Sequence, residues 1–174
     1  GTIHGMKAVM PGMLARRRGQ IVNIASSAGR IPLPHAATYS ATKAAVIALT
    51  EALRAEYEAS GVTFSLVLPG YVDTALLAGA RPPLFPPISR PEAVARAVVA
   101  VLQTGASQRY VPRYLGLFAL VPLLLPPWLL HRVGRWTGVS RSLAAVEPQG
   151  SHAKAALGST GDRASEPAPS RAER

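Results

Sequence analysis

Tyr39 and Lys43 are the first residues whose types and spacing could do chemistry. They lie four positions apart in a stretch that reads as a helix, so both side chains leave the same helix face. An ammonium group beside a phenol favours the phenolate, and such a tyrosine can exchange a proton with an alcohol or carbonyl oxygen. On spacing alone, an ordinary surface pair is the simpler interpretation, because a motif match needs its structural context.

The element that must carry this pair is a helix predicted from Thr38 to Ser60. The stretch is rich in Ala and Leu, contains no Gly or Pro, and stops at Gly61, where a left-handed C-cap is expected. Apolar residues at helical spacing predict another helix over residues 2–15. A third helix is predicted to run to Gln103 after a capping-box sequence at residues 89–92.

Two almost wholly apolar runs predict strands that are buried on both faces of a parallel sheet. They are residues 21–25 and residues 62–68, and residues 108–112 are a candidate for a short last strand. Each strand is preceded by a predicted helix. This alternation is typical of the α/β fold class with a parallel sheet.

Other motifs surround the Tyr–Lys pair. Ser26 lies thirteen positions before Tyr39, directly after the first predicted strand, in N-I-A-S-S-A-G. The second strand ends in P-G-Y-V-D-T, and the first helix contains M-P-G-M. In this order and approximate spacing, the motifs resemble those of the short-chain dehydrogenase/reductase family, over residues 1–112.

The resemblance implies an NAD(P)-dependent oxidoreductase with a Rossmann-like, doubly wound parallel sheet. Tyr39 would be the catalytic acid/base, and Lys43 would assist it and hold the nicotinamide ribose. Ser26 would hydrogen-bond the reacting oxygen, with its neighbour Ser27 as the rival.

The same resemblance implies a cofactor-binding segment after the second strand. Pro69, Gly70, Val72 and Thr74 match the positions that line the nicotinamide, together with Tyr39 and Lys43 on the helix. The cofactor would be NAD or NADP, and the sequence does not show which.

One departure from the family pattern is the absence of a Gly-rich turn that would hold the pyrophosphate. We therefore expect the chain to be the C-terminal part of the Rossmann-like domain, lacking the N-terminal dinucleotide-binding turn.

The charge and composition exclude several other functions. The formal charge is +10, but residues 81–141 hold eight Arg and one acid, whereas residues 21–80 are nearly neutral. No predicted helix or strand carries a basic stripe with interleaved aromatics, which argues against nucleic-acid binding. The chain has no Cys, and His4 and His131 have no partners at ligand spacing, so we expect no metal site.

The C-terminal third is predicted to lie outside the α/β domain of residues 1–112. Residues 113–138 form an apolar Pro-rich extension, and residues 139–174 a disordered tail. Prolines interrupt the apolar run of residues 114–130, which makes a membrane crossing unfavourable. Three interpretations remain, in order of preference: a lid over a lipophilic substrate, a membrane-surface segment with Arg at the phosphates, and burial in the core.

These observations lead to one functional prediction and one alternative. The prediction is an oxidoreductase that interconverts a secondary alcohol and a ketone, or an alcohol and an aldehyde, on a lipophilic small molecule. We expect a homo-oligomer in the cytoplasm, with membrane association as a further option. The alternative is an inactive fragment or a membrane-peripheral interaction protein that retains the fold, and the intact set of Ser26, Tyr39 and Lys43 favours the enzyme.

Overall fold

The computed structural model describes residues 1–74 and 87–121, together with residues 126, 129 and 132. The predicted tail and most of the predicted apolar extension lie outside these residues. The helices and strands, in chain order, are α1 (Thr2–Ala15), β1 (Gly19–Ile24), a 3-10 helix (Ser27–Gly29), α2 (Ala37–Glu56), β2 (Val62–Pro69), α3 (Pro91–Thr104), β3 (Gln108–Val111) and the short α4 (Leu115–Phe118).

The three strands form one parallel sheet with β2 in the centre. Ile24 of β1 is in register with Val67, and Pro69 of β2 is in register with Val111 of β3. Parallel strands need a crossover, and helices supply both of them: α2 lies between β1 and β2 in the chain, and α3 between β2 and β3. The α/β fold with a parallel sheet is therefore confirmed.

The central strand packs against helices on both of its faces. Phe64, Leu66 and Leu68 lie in clusters with side chains of α1 and α2. Val67 points to the opposite face, where it packs with Ala97 and with other buried side chains of α3 and β3. This alternation with a period of two explains why β2 is mostly apolar, since every residue of the strand except Thr63 is buried.

The helix that carries the Tyr–Lys pair ends earlier than predicted. α2 stops at Glu56 because the chain then forms a turn, in which the Ser60 hydroxyl donates to the Tyr57 carbonyl at 2.7 Å. The same hydroxyl accepts from the Val62 amide at 3.1 Å. Gly61 adopts a φ of 81°, which a residue with a side chain rarely takes.

The capping box predicted for the third helix is wrong. Arg90 is the N-cap of α3 and makes no side-chain capping bond. Ser89 is engaged elsewhere through its backbone: its amide donates to the Tyr71 carbonyl at 2.8 Å, and its carbonyl accepts from the Asp73 amide at 2.9 Å. At the other end of α3, Gly105 is a left-handed C-cap with a φ of 67°.

A buried polar contact joins β1 to α2 behind the site. The Asn23 amide nitrogen donates to Thr50 Oγ1 at 2.9 Å, and that hydroxyl donates to the Val46 carbonyl at 2.7 Å. Both side chains are buried, so water cannot replace a lost partner.

We predict that Thr50→Val lowers the free energy of unfolding by about 1–3 kcal/mol, because it removes the oxygen that accepts from buried Asn23. Urea denaturation measures the effect. Thr63→Val is the matched control, since Thr63 is exposed on β2, and it should change stability by less than about 0.5 kcal/mol. Equal stabilities of the two variants would contradict the prediction.

Candidate active site

The candidate site lies where the parallel strands end. β1 ends at Ile24 and β2 at Pro69, and the Ala25 amide extends the pairing by donating to the Val67 carbonyl at 2.9 Å. In open α/β sheets, this carboxyl edge is where ligands bind. Ser26 and Gly70 are therefore delivered to the same edge by two neighbouring strands.

Ser26 is fixed in this edge by two hydrogen bonds. Only 5% of the residue is exposed. Its hydroxyl accepts from the Ala28 amide at 3.2 Å, which makes Ser26 the N-cap of the 3-10 helix, and donates to the Pro69 carbonyl at 3.3 Å. Its rival, Ser27, is half-buried inside the 3-10 helix. The structure thus places Ser26, more than Ser27, in direct contact with the end of β2.

Tyr39 and Lys43 lie in the first turns of α2. Tyr39 is 38% exposed, as a residue that meets a substrate must be. The Lys43 ammonium lies 5.6 Å from the centroid of the Tyr39 ring and donates to the Ile24 carbonyl at 3.3 Å. Lys43 therefore links the tyrosine to the end of β1, on the side where Ser26 follows.

The 3-10 helix packs directly on α2 at Gly29. A Cβ atom added to Gly29 would lie 2.7 Å from the Lys43 carbonyl carbon and 2.9 Å from the Ala44 amide nitrogen. Only a residue without a side chain permits this approach. The turn that carries Ser26 and the helix that carries Lys43 are consequently held against each other.

Two further contacts hold the loop after the 3-10 helix, and no local pattern in the sequence indicates either of them. The Arg30 guanidinium forms an ion pair with the Glu51 carboxylate of α2. The buried Ser40 hydroxyl accepts from the Leu33 amide at 3.2 Å. Arg30 and Glu51 are 21 residues apart in the chain, and Ser40 is the neighbour of Tyr39, which drew attention instead. Residue spacing alone therefore does not predict these contacts.

The segment from Pro69 to Thr74 is held by backbone bonds to other elements. The Gly70 amide donates to the Val111 carbonyl at 2.8 Å. Val72 forms an isolated parallel bridge with Ser89, and the Thr74 hydroxyl donates to the Val72 carbonyl at 3.4 Å. All four residues predicted to line a nicotinamide therefore follow or end β2 at the site edge.

Two kinds of feature are not found in the described part of the chain. Residues 1–74 and 87–121 hold no group of three His, Asp or Glu side chains that could bind a metal ion. No described helix combines the length and the apolar character that a membrane crossing requires.

We predict that Gly29→Ala lowers the free energy of unfolding by about 1–3 kcal/mol, because the backbone of α2 must move to admit the methyl group. Thermal and urea denaturation measure the loss. The control is Gly5→Ala in α1, where an added Cβ meets nothing within 4 Å and the lower entropy of the unfolded chain should stabilise the protein by up to about 1 kcal/mol. If Gly29→Ala leaves the free energy of unfolding unchanged, the backbone of α2 can move to admit the methyl group without loss of stability, which would contradict the prediction.

A Rossmann-like α/β sheet with serine, tyrosine and lysine at its carboxyl edge is typical of dehydrogenases and reductases that use a nicotinamide cofactor. Comparison with known sequences points to one family of this class. The family model described as short chain dehydrogenase matches residues 1–84. The very-long-chain 3-oxoacyl-CoA reductase of Bos taurus is 35% identical over 134 residues, which are 77% of this chain and 42% of that protein.

Solved structures agree. A short chain dehydrogenase from Burkholderia cenocepacia J2315 in complex with NADP has 31% identity and a TM-score of 0.63, over 75% of this chain and 54% of that one. A 3-oxoacyl-[acyl-carrier protein] reductase with bound NAD from Brucella melitensis has 28% identity and a TM-score of 0.52, over 63% of this chain and 45% of that one. The chain is thus similar in sequence and fold to members of the short-chain dehydrogenase/reductase family, and it spans about half the length of these relatives or less.

The family match corrects one expectation from the sequence. We expected a C-terminal part that lacks the N-terminal dinucleotide-binding turn, because no Gly-rich run is present. The match begins at residue 1 and includes α1, β1 and the glycine-containing turn at Ser27–Gly29, so that expectation is wrong. The expectation rested on the lack of a Gly-rich run, whereas the turn within the matched region contains one glycine, Gly29, which packs against α2.

Proposed function

We propose that the protein is an NAD(P)-dependent oxidoreductase that interconverts an alcohol and a ketone or aldehyde on a lipophilic substrate. The observation that carries the proposal is the position of Lys43, whose ammonium lies between the Tyr39 ring and the Ile24 carbonyl at the carboxyl edge. A lysine that was only solvated would not need to contact either group. Ser26 supplies the third polar group at the same edge.

The residues at this edge fit a nicotinamide nucleotide. The Tyr39 hydroxyl and the Lys43 ammonium suit the ribose hydroxyls, and the backbone of Val72 and the hydroxyl of Thr74 suit the carboxamide. The Pro69–Thr74 segment is already ordered by bonds to β3 and to Ser89, so little reorganisation is needed. When bound, the nicotinamide supplies or accepts the hydride.

The protein's own groups then handle the substrate oxygen and its proton. Tyr39 gives a proton to that oxygen during reduction and takes it back during oxidation. The Lys43 ammonium stabilises the phenolate that remains after the proton leaves.

Ser26 must exchange its partner to take part. A serine hydroxyl carries one hydrogen, and in this structure it points to the Pro69 carbonyl. That bond is long, at 3.3 Å, so redirecting the hydrogen to a substrate oxygen costs little.

For the substrate we propose a 3-oxoacyl thioester or a ketone of similar apolar character. Two relatives support this choice, since one is named a very-long-chain 3-oxoacyl-CoA reductase and the other a 3-oxoacyl-[acyl-carrier protein] reductase. Both names describe a ketone next to a long acyl chain or its carrier.

We further propose a cytoplasmic homo-oligomer. α1 exposes Ile3 and Val9, and a second copy would remove these side chains from water. Size-exclusion chromatography with light scattering tests the assembly, and a monomer at micromolar concentration would contradict it.

We predict that Tyr39→Phe in the full-length protein lowers kcat for reduction of a 3-oxoacyl thioester by about 10²–10⁴-fold, because the proton donor is lost. Loss of reduced-cofactor absorbance measures turnover, and quenching of intrinsic fluorescence measures cofactor binding, which should change little. Tyr57→Phe, at the C-cap that follows α2, is the control and should keep wild-type turnover. A Tyr39→Phe protein with unchanged kcat would remove Tyr39 from its role, and an inactive wild type would favour the non-catalytic alternative.

We predict that Ser26→Ala lowers kcat by about 10²–10³-fold, the usual effect of losing one donor to a reacting oxygen. Ser27→Ala is the matched control, because the two serines are neighbours and only Ser26 bonds to the end of β2. Steady-state kinetics of both variants decide between them. The opposite pattern, with Ser27→Ala the impaired variant, would transfer the role to Ser27.

A further inference from the structure

The helical turns after β3 present an exposed apolar face that begins with an arginine. Arg113, Leu117 and Leu120 follow the i, i+4, i+7 spacing of one helix face. The turns are continuous, since the Leu117 amide donates to the Tyr114 carbonyl at 3.0 Å and the Leu120 amide to the Leu117 carbonyl at 3.2 Å. Leu117 is 71% exposed and Leu120 52%, and Arg113 is also exposed. We refer to these three residues as the Arg113–Leu120 face.

Packing on the opposite side fixes the orientation of this face. Leu115 is buried, and Gly116 lies against the Tyr110 ring, where an added Cβ would be 3.1 Å from a ring carbon. The Tyr114 and Phe118 rings meet edge to face with centroids 6.3 Å apart. The helix therefore cannot roll to bury Leu117 without losing these contacts.

The charge of the surrounding sequence is of one sign. Residues 93–146 contain six Arg and neither Asp nor Glu. Arg beside exposed apolar side chains is the combination that binds anionic lipid, because the apolar groups enter the acyl boundary while the guanidinium groups meet phosphates.

We propose that the Arg113–Leu120 face docks on an anionic lipid surface. The apolar side chains of this face would enter the acyl boundary, and the Arg113 guanidinium would meet the phosphates. A second copy fits this face less well, because the sequence around it, residues 93–146, offers no acidic side chain to pair with Arg113. The charge thus favours an anionic lipid over self-association.

The position of the face relates it to the candidate site. α4 follows β3 at the carboxyl edge of the sheet, and the Val111 carbonyl accepts from the Gly70 amide at 2.8 Å. If the proposed function holds, a lipophilic substrate could leave the lipid beside the site without crossing bulk water. The docking itself requires no catalysis, so it can be tested separately.

The experiment is co-sedimentation of the full-length protein with phosphatidylcholine vesicles, with and without phosphatidylserine. We expect binding only to the vesicles that contain phosphatidylserine, and weaker binding as salt rises. Leu117→Glu combined with Leu120→Glu should lower the partition coefficient at least tenfold. Arg113→Gln should lower it about fivefold, the effect of one arginine near an anionic surface.

Val99→Glu combined with Leu102→Glu is the matched control, since both residues are exposed apolar positions on α3. This variant should bind vesicles like the wild type. Circular dichroism checks the fold of each variant, and Arg113→Gln still tests the proposal if the double leucine variant unfolds.

Three results would overturn the proposal. One is equal binding by the wild type and the folded Leu117→Glu/Leu120→Glu variant, and another is binding to neutral vesicles as strong as to anionic ones. The third is a wild type that binds no vesicle and changes from oligomer to monomer in the leucine variant, which would assign the face to a second copy. Vesicle binding by a protein that proves catalytically inactive would support the docking and reject only the proposed function.

Discussion

The parallel pairing of β1 with β2 aligns Ile24 with Val67, so the chain leaves both strands at the same edge of the sheet. Parallel pairing also requires a crossover, and α2 provides it by running back along the sheet. The first turns of α2, which hold Tyr39 and Lys43, therefore begin close to where β1 ends. Ser26, Tyr39 and Lys43 thus lie at the same edge of the sheet because of the direction of the strands and of α2.

Close packing between the turn after β1 and α2 fixes the relative positions of Ser26, Tyr39 and Lys43 more narrowly. Gly29 lets the turn after β1 approach the backbone of α2, and the Arg30–Glu51 ion pair joins the same turn to a later part of the helix. The ion pair is only partly buried and contributes little free energy, whereas the steric fit at Gly29 leaves no room for a side chain. These contacts consequently fix the position of the turn with Ser26 relative to the helix with Tyr39.

Local patterns predicted the elements well and the tertiary contacts poorly. The long Ala/Leu-rich stretch and the apolar run of β2 have one reasonable interpretation each, and the structure contains both. The capping box at residues 89–92 failed because Ser89 is drawn into a bridge with Val72, a partner that local sequence does not specify. The bond from Ser26 to the Pro69 carbonyl was likewise out of reach, since it depends on strand register and not on any motif.

The same bond sets the order in which the site can be assembled. Ser26 and Pro69 are 43 residues apart, so the hydroxyl finds its partner only after α2 and β2 have both been synthesised. At about 5–20 residues per second, a ribosome needs roughly 2–9 s to add that length. In the later part of this interval the nascent chain contains Tyr39 and Lys43 but not yet the strand that holds the serine. The bond between Ser26 and Pro69 can therefore form only once β2 has been added.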